Sequence, residues 1–264
     1  MRLQKTKSGN RNSTSTSVAR AFAILDTLSS HGESGAALME TAHRLRMSKS
    51  TTHRYLLTLE KLGAVERDAN DRFHLGLKLI ELAGQTLSNN DLRKLAEPFL
   101  EELAARTQET VHLAVPSGLD VVYIAKADSA HAIRMYSYIG ARAPMYCTAL
   151  GKAILAFAAP SLLEATIRGG LTARTPHSLT SRAALLSELE RIRSLGYAID
   201  DQENELGVCC VGTPIMDYSS RPIGALSVSG PADRVSPARQ VELGPIMRDA
   251  GLRLSRRMGY ASDH

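Results

Sequence analysis

The chain contains no tryptophan, and only 5% of its 264 residues are aromatic. Any core it forms must therefore be built mainly from aliphatic side chains. No apolar run approaches the roughly 20 residues that cross a bilayer, and the N-terminal segment lacks the apolar stretch of a secretory signal. No membrane partner is expected. Cysteine is scarce as well: Cys147, Cys209 and Cys210 form no Cys-x-x-Cys pair. That spacing excludes a disulfide framework and a zinc site, and it suits a reducing, cytoplasmic compartment. Catalytic signatures are missing too. The segment around Ser227 reads Gly224-Ala225-Leu226-Ser227-Val228-Ser229-Gly230, not the Gly-x-Ser-x-Gly of a nucleophile elbow. There is no phosphate-binding loop, dinucleotide fingerprint or His-Glu-x-x-His. His112, His131 and His177 lack ligand spacing and read as structural or exposed. An enzyme, a metal and a cofactor are all not expected.

What the chain does have is an uneven charge. Residues 1–90 carry 13 Lys and Arg against 8 Asp and Glu, whereas residues 91–264 carry 19 of each. The whole excess of +5 thus lies in the first third. Neutralising phosphates supplies most of the sequence-independent affinity for DNA, so a nucleic-acid module belongs there. Residues 1–14, with Arg2, Lys5, Lys7 and Arg11 among Ser, Thr and Asn, read as a disordered basic arm.

The same third has the pattern of a winged helix-turn-helix over residues 15–76. A first helix, Ser17–Ser29, carries Val18, Ala21, Phe22, Leu25 and Leu28 at helical spacing, with Arg20 outside. A second, Leu38–Leu45, places Leu38, Ala42 and Leu45 in one stripe. Arg46-Met47-Ser48 turns the chain into a third helix, which runs from Lys49 to Leu62 before Gly63 and has Ser48 or Ser50 placed to cap it. On a wheel of about 100° per residue, Thr52, Leu56, Leu59 and Leu62 share one side; Ser50, Thr51, Arg54, Thr58 and Lys61 lie opposite. Alone, that pattern favours an ordinary solvated helix. Two short alternating runs come next, Val65–Arg67 and Arg72–Leu75, around Asn70-Asp71, and they complete the order in which a recognition helix and wing reach DNA. The candidate DNA-contacting residues are Arg20, Lys49, Ser50, Thr51, Thr52, Arg54, Arg67 and Arg72. Short hydroxyls and bidentate guanidinium groups suit phosphates and base edges.

Residues 77–90 read as a linker helix, with a boundary at Asn89-Asn90-Asp91. Beyond it, helices are predicted at Leu92–Arg106 (with Pro98 as a kink or restart), Thr148–Ala158, Ser161–Arg168, Ser181–Leu195 and Pro237–Met258. Strands are predicted at Thr110–Val115, Asp120–Lys126, Ile133–Tyr138, Val208–Pro214 and Ile223–Ser229. Hairpin-joined strands among helices predict an α+β class with a largely antiparallel sheet over residues 91–262.

The chain resembles the IclR-type bacterial transcriptional regulators from about Ser15 to Gly259. The matching segments include Lys49-Ser50-Thr51-Thr52-His53-Arg54, Phe73-His74-Leu75-Gly76, Thr110-Val111-His112-Leu113-Ala114 and Thr148-Ala149-Leu150-Gly151-Lys152-Ala153. Gly196-Tyr197-Ala198-Ile199-Asp200, Gly207-Val208-Cys209-Cys210-Val211 and Ser227-Val228-Ser229-Gly230-Pro231 continue the match in order. Met216 departs from the family pattern at a packing position. The resemblance implies a DNA-binding domain joined by a helix to a GAF/profilin-like effector-binding domain. It carries an effector pocket onto Asp200, Cys210, Ser227 and Ser229, with backbone amides near Ala149 and Leu150.

The residues themselves are compatible with that pocket. Ser227 and Ser229 share one strand face, and Cys210 shares one with Val208 and Gly212. Amides opening a helix near Thr148–Gly151 suit a carboxylate. Taken without the resemblance, serines at period two also fit the wet side of a sheet, a strand cysteine fits a core, and Asp200 fits a solvated turn. Met135, Tyr136 and Tyr146 suit a pocket wall or simple packing. The expected partners are double-stranded promoter DNA, a small organic acid and further copies of the chain, as homodimer or homotetramer. The expected function is a ligand-responsive regulator, a repressor of a catabolic operon. The competing readings are a regulator whose second domain only oligomerises, and an enzyme.

Overall fold

The computed structural model describes residues 16–88, 91–131 and 137–261. The basic arm, Asn89-Asn90, Met135, Tyr136 and most of the strand expected at Ile133–Tyr138 lie outside them; Ser137 and Tyr138 are not strand. The chain divides into two compact units, Met1–Asn89 and Asn90–His264.

In the first unit, α1 (Thr16–His31), α2 (Leu38–Arg44) and α3 (Lys49–Lys61) enclose Ile24, Leu28, Leu56 and Leu59 together with Val65 and Phe73. The turn between α2 and α3 is set by α2's end. Met47 N–H donates to the Ala42 carbonyl at 2.9 Å and Arg46 N–H to that of His43 at 3.1 Å. This is the paired closure of a Schellman motif, with Arg46 in the left-handed region at φ 51° where glycine is usual. Ser48 then caps α3, its hydroxyl accepting from Thr51 N–H. Gly63, at φ 72°, closes α3 in the same way. Strands β2 (Val65–Arg67) and β3 (Arg72–Leu75) form the wing. A two-residue strand not expected from the sequence, β1 (Ala36–Ala37), pairs with β3, giving the order β1-β3-β2. Helix α4 (Lys78–Ser88) ends the unit.

The second unit is a six-stranded antiparallel sheet in the order β6-β5-β4-β9-β8-β7. Its strands are β4 (Thr110–Ser117), β5 (Asp120–Ala127), β6 (Arg142–Pro144), β7 (Ala198–Asp201), β8 (Val208–Met216) and β9 (Pro222–Pro231). Helices α5 (Asp91–Thr107) and α9 (Pro237–Arg257) pack on one face; α5 runs through Pro98 without a break. On the other face lies α6 (Ala149–Leu155), backed by α8 (Arg182–Leu195), with α7 (Pro160–Gly169) alongside. Side chains on adjacent strand positions point to opposite faces, so Leu226 and Val228 are buried toward α9 while Ser227 and Ser229 turn toward α6. Strands β6 and β7 were not among those expected. Among the described residues no helix is long and apolar enough to cross a membrane.

Candidate functional site

Two surfaces carry chemistry, one in each unit. In the first, the outer side of α3 presents Lys49, Ser50, His53, Arg54, Leu57, Thr58 and Lys61 to solvent, and Thr51 is half-buried. Ser50, His53, Arg54, Leu57, Thr58 and Lys61 line one shallow groove. The described residues hold no ion-pair partner for Lys49, Arg54 or Lys61, which leaves three cations available to an anionic surface. Arg20 is exposed on α1.

Two of the expected contacts require correction. Thr52 is fully buried, and its hydroxyl donates to the Ser48 carbonyl at 3.1 Å. It lies on the apolar side of α3 with Leu56 and Leu59, so it faces the core and not DNA. Arg72 is tied inward: Nε donates to the Ser34 carbonyl at 2.6 Å, and Nη2 donates to the Gly35 carbonyl at 2.9 Å and meets Glu40 at 3.0 Å. The residues just before β1 supply the two carbonyls and α2 supplies the carboxylate, so Arg72 fastens the wing to the approach to β1 and to the start of α2. Arg67 remains near the surface, paired with Glu60 and Asp71 and lying 5.9 Å from the Phe73 ring.

In the second unit, a cavity lies where the first turn of α6 meets β7, β8 and β9. Ala149, Leu150, Asp200, Cys210, Ser227 and Ser229 all line it. Strand register brings them together. Asp200 lies opposite Cys210 and Cys210 opposite Ser229, one rung across three strands. Two residues along β9, Ser227 lies opposite Gly212. A Cβ on Gly212 would sit 2.9 Å from the Ala149 carbonyl carbon and oxygen, so glycine is what lets α6 rest directly on β8. Thr148 caps α6, accepting from Gly151 N–H at 3.1 Å. The N–H groups of Ala149 and Leu150 lie in that first turn, where a helix offers them no acceptor.

Sequence reasoning did not single out Tyr123, Asn204, Glu205 and Val208, which together with Thr148 complete the lining. Thr148, Asn204, Glu205 and Val208 each adjoin or nearly adjoin an expected residue, so a helix-start signal and a polar run were pointing at them. Tyr123 comes from a strand distant in sequence and carried no such signal. Tyr146 does not line the cavity; its hydroxyl donates to the Thr172 carbonyl.

The electrostatics are those of a buried pocket. Asp200 is 3% exposed, and burial pushes its carboxyl up to about 6 despite the opposing pull of Lys152 and the Glu203 and Asn204 N–H groups. Behind it, fully buried Lys152 bonds both Glu203 Oε1 and, at 3.4 Å, Glu188 Oε1. Burial likewise pushes Glu203 up to about 7. His112 is held down to about 4 by burial and then by the Lys126 charge, so it is uncharged at neutral pH. Its Nδ1 lies 3.4 Å from Ser229 Oγ and its Nε2 2.8 Å from Ser137 Oγ. Burial, then Asp200, raises the Cys210 thiol well above its usual range. Among the described residues, Ser227 Oγ is buried with no hydrogen-bond partner.

This arrangement binds better than it reacts. A nucleophile needs a hydrogen-bonded base; Ser227 has none among the described residues, the Cys210 thiol is held protonated, and Ser229 meets only His112, at 3.4 Å, whose burial makes it a weak base. Among the described residues no cationic side chain lines the cavity, and the polar groups they offer an anion there include the backbone amides of Ala149 and Leu150. Among the described residues no cluster of three or more His, Cys, Asp or Glu is placed to hold a metal ion.

Comparison with known proteins matches residues 17–69 to the IclR helix-turn-helix domain and residues 84–256 to the bacterial transcriptional regulator IclR C-terminal domain. The chain belongs to the IclR family. As an IclR-family chain it carries a DNA-binding unit and a regulatory unit, and is not an enzyme. It is 38% identical over 246 residues to the HTH-type transcriptional regulator XynR of Escherichia coli K12, covering 92% of this chain and 97% of XynR. It is 31% identical over 242 residues to the HTH-type transcriptional repressor AllR of the same strain, covering 91% and 89%. The crystal structure of Thermotoga maritima IclR superposes with a TM-score of 0.75 at 35% identity, covering 94% of this chain and 100% of that one.

Proposed function

We propose that this IclR-family regulator represses a catabolic operon by binding double-stranded promoter DNA, and that a small organic acid in the second unit's cavity changes that binding. The observation that carries the proposal is the convergence of six family-pocket residues on one cavity, where the Ser227 hydroxyl is buried and unmet among the described residues. A buried polar atom without a partner is costly, and a ligand hydroxyl or carboxylate would satisfy it. The amides of Ala149 and Leu150 suit the carboxylate end, and Asp200, Ser227 and Ser229 suit hydroxyl or carbonyl groups. The relative AllR is named as a repressor, which supports the sign of regulation.

DNA contact is assigned to Lys49, Ser50, Thr51 and Arg54 on α3, with Arg20 and Arg67 at the margins. The promoter site is pseudo-palindromic and the protein binds it as a homodimer or a dimer of dimers, which sets recognition helices one turn of DNA, or a multiple, apart. Exposed apolar residues support self-association of the first unit: Val18 and Phe22 lie four apart on α1, and Leu77 and Ile80 at the start of α4 are 65% and 68% exposed. Ligand acts as a population shift between arrangements of the paired DNA-binding units. The protein works in the bacterial cytoplasm, where its three cysteines stay reduced.

A thermal-shift screen of small carboxylic acids against the full chain identifies the effector, because a ligand of the folded state raises the melting temperature. Mobility shifts on promoter fragments come second, at fixed salt. We expect Arg54→Ala to weaken operator binding by about 1–3 kcal/mol, and a stabilising acid to change the affinity of the unaltered protein. Equal operator affinity with and without saturating acid overturns the proposal and leaves the second unit as an oligomerisation surface.

A further inference from the structure

The cavity's free space is about 10 Å³, room for roughly one water molecule. A metabolite therefore enters only when a wall moves. The sheet wall is fixed, since Cys210, Ser227 and Ser229 belong to strands paired on both sides. The α6 wall rests on Gly212 with no gap. The third wall is the turn after β7, which contributes Asn204, Glu205 and Val208. Residues 202–204 belong to no strand, and Gln202 N–H donates to the Val208 carbonyl at 3.2 Å at the base of the turn. From inside it is held by Asp200, which accepts from Glu203 N–H at 2.8 Å, and by the Lys152–Glu203 pair.

From outside it is held by the segment between α7 and α8. Three of that segment's side chains grip three consecutive carbonyls. Thr175 Oγ1 donates to Gln202 at 2.7 Å, Ser178 Oγ to Glu203 at 2.6 Å, and Arg174 Nε to Asn204 at 3.3 Å. The Ser178 hydroxyl also accepts the N–H groups of Arg174 and Thr175, each at 3.0 Å, so the segment is shaped before it grips. At its other end the Thr172 carbonyl accepts from the Tyr146 hydroxyl at 2.7 Å. Tyr146 stands two residues before Thr148, on the α6 wall. The segment thus spans from one wall of the cavity to the other.

We propose that Thr172–Ser178 is a clasp over the cavity, and that the hydroxyls of Thr175 and Ser178 set how often it opens. The inference rests on the reading of this cavity as the effector site for its biological meaning. Ligand exchange then depends on two residues that touch no ligand and act by positioning Asn204 and Glu205.

The test needs no effector, so its failure would remove the clasp and leave the effector-cavity reading standing. Cys210 lines the cavity and is 8% exposed, whereas its neighbour Cys209 faces the other side of the sheet beside Asp201. The full-length protein is treated with methyl methanethiosulfonate, and labelling is tracked at each cysteine by fragment-ion mass spectrometry. Losing a net hydrogen bond of about 1 kcal/mol raises an opening equilibrium about fivefold. Thr175→Val and Ser178→Ala are each expected to speed Cys210 labelling by about five- to tenfold on that basis, with Cys209 unchanged and Thr175→Ser restoring the original rate. Should either variant fail to fold, Tyr146→Phe at the far end is expected to give an increase of about threefold. Unchanged Cys210 labelling in the folded variants overturns the clasp. So does acceleration of Cys209 in step, which would reveal general loosening.

Discussion

Replacing Lys152 by methionine isolates the buried charge behind the cavity. Methionine keeps the length of the stem and removes the ammonium that Glu203 and Glu188 share. The two carboxylates respond differently. Glu188 keeps Arg191, whose Nε and Nη2 both lie 2.8 Å from its oxygens, and stays ionised. Glu203 loses its partner, and its second oxygen already lacks one among the described residues. Removing one member of a buried pair costs about 3–5 kcal/mol, and that is the loss expected at pH 8. Glu203 titrates at about 7 with the lysine present, and higher without it. At pH 5.5 it therefore takes up a proton, and the loss falls to about 1–2 kcal/mol, the cost of hydrogen bonds and packing. Urea unfolding of the full chain, monitored by far-UV circular dichroism at both pH values, measures this. The double variant Lys152→Met, Glu203→Gln should recover most of the pH 8 loss in a double-mutant cycle. Equal losses at the two pH values, or no recovery in the double variant, would refute the assignment of Glu203 as the orphaned charge.

Arg72→Ala should lower the stability of the first unit by about 1–2 kcal/mol through its lost ties to Ser34, Gly35 and Glu40, and leave the salt dependence of DNA binding unchanged. A slope reduced by about one would instead mark a phosphate contact. The second unit should lose stability as pH rises from about 4 to about 6, because folded Asp200 keeps its proton up to about 6 whereas an unfolded aspartate loses its own near 3.8. Asp200→Asn should lessen that slope in melting temperature and leave the part that Glu203 contributes, and an unaltered slope would assign the dependence to other groups. Gly212→Ala places a methyl 2.9 Å from the Ala149 carbonyl and should cost about 1–3 kcal/mol by overpacking, read as a lower urea midpoint; a neutral effect would show that α6 can lift.

The helix-turn-helix was legible because periodic apolar stripes and turn residues occur together: Leu38, Ala42 and Leu45, then Arg46 and Gly63, mark positions that the backbone requires. Strand β1 was not, since two alanines hold no alternation, and without its pairing to β3 nothing placed Ser34 and Gly35 beside Arg72. Thr52 was assigned to DNA although the wheel set it with Leu56; its hydroxyl is satisfied by its own helix, and it behaves as a small core residue. Strand β7 ends in Asp200-Asp201-Gln202-Glu203, a run whose polarity imitates a solvated turn. Only the neighbouring strands show that Asp200 points inward and Asp201 outward. Period two placed Ser227, Ser229 and Cys210 correctly on their own strands, but the register that joins them is a long-range property. Lys152 was the least legible of all. A lysine in a helix reads as surface, and its burial depends on two glutamates 36 and 51 residues away.

The rung formed by Asp200, Cys210 and Ser229 has an evolutionary corollary. Its hydrogen bonds run between main-chain atoms and are indifferent to which side chains project from them. On the proposed reading of the cavity, substitutions at those three places retune molecular preference while leaving the scaffold's pairing intact. New selectivity can therefore arise in small, separately tolerated steps, with the architecture inherited whole.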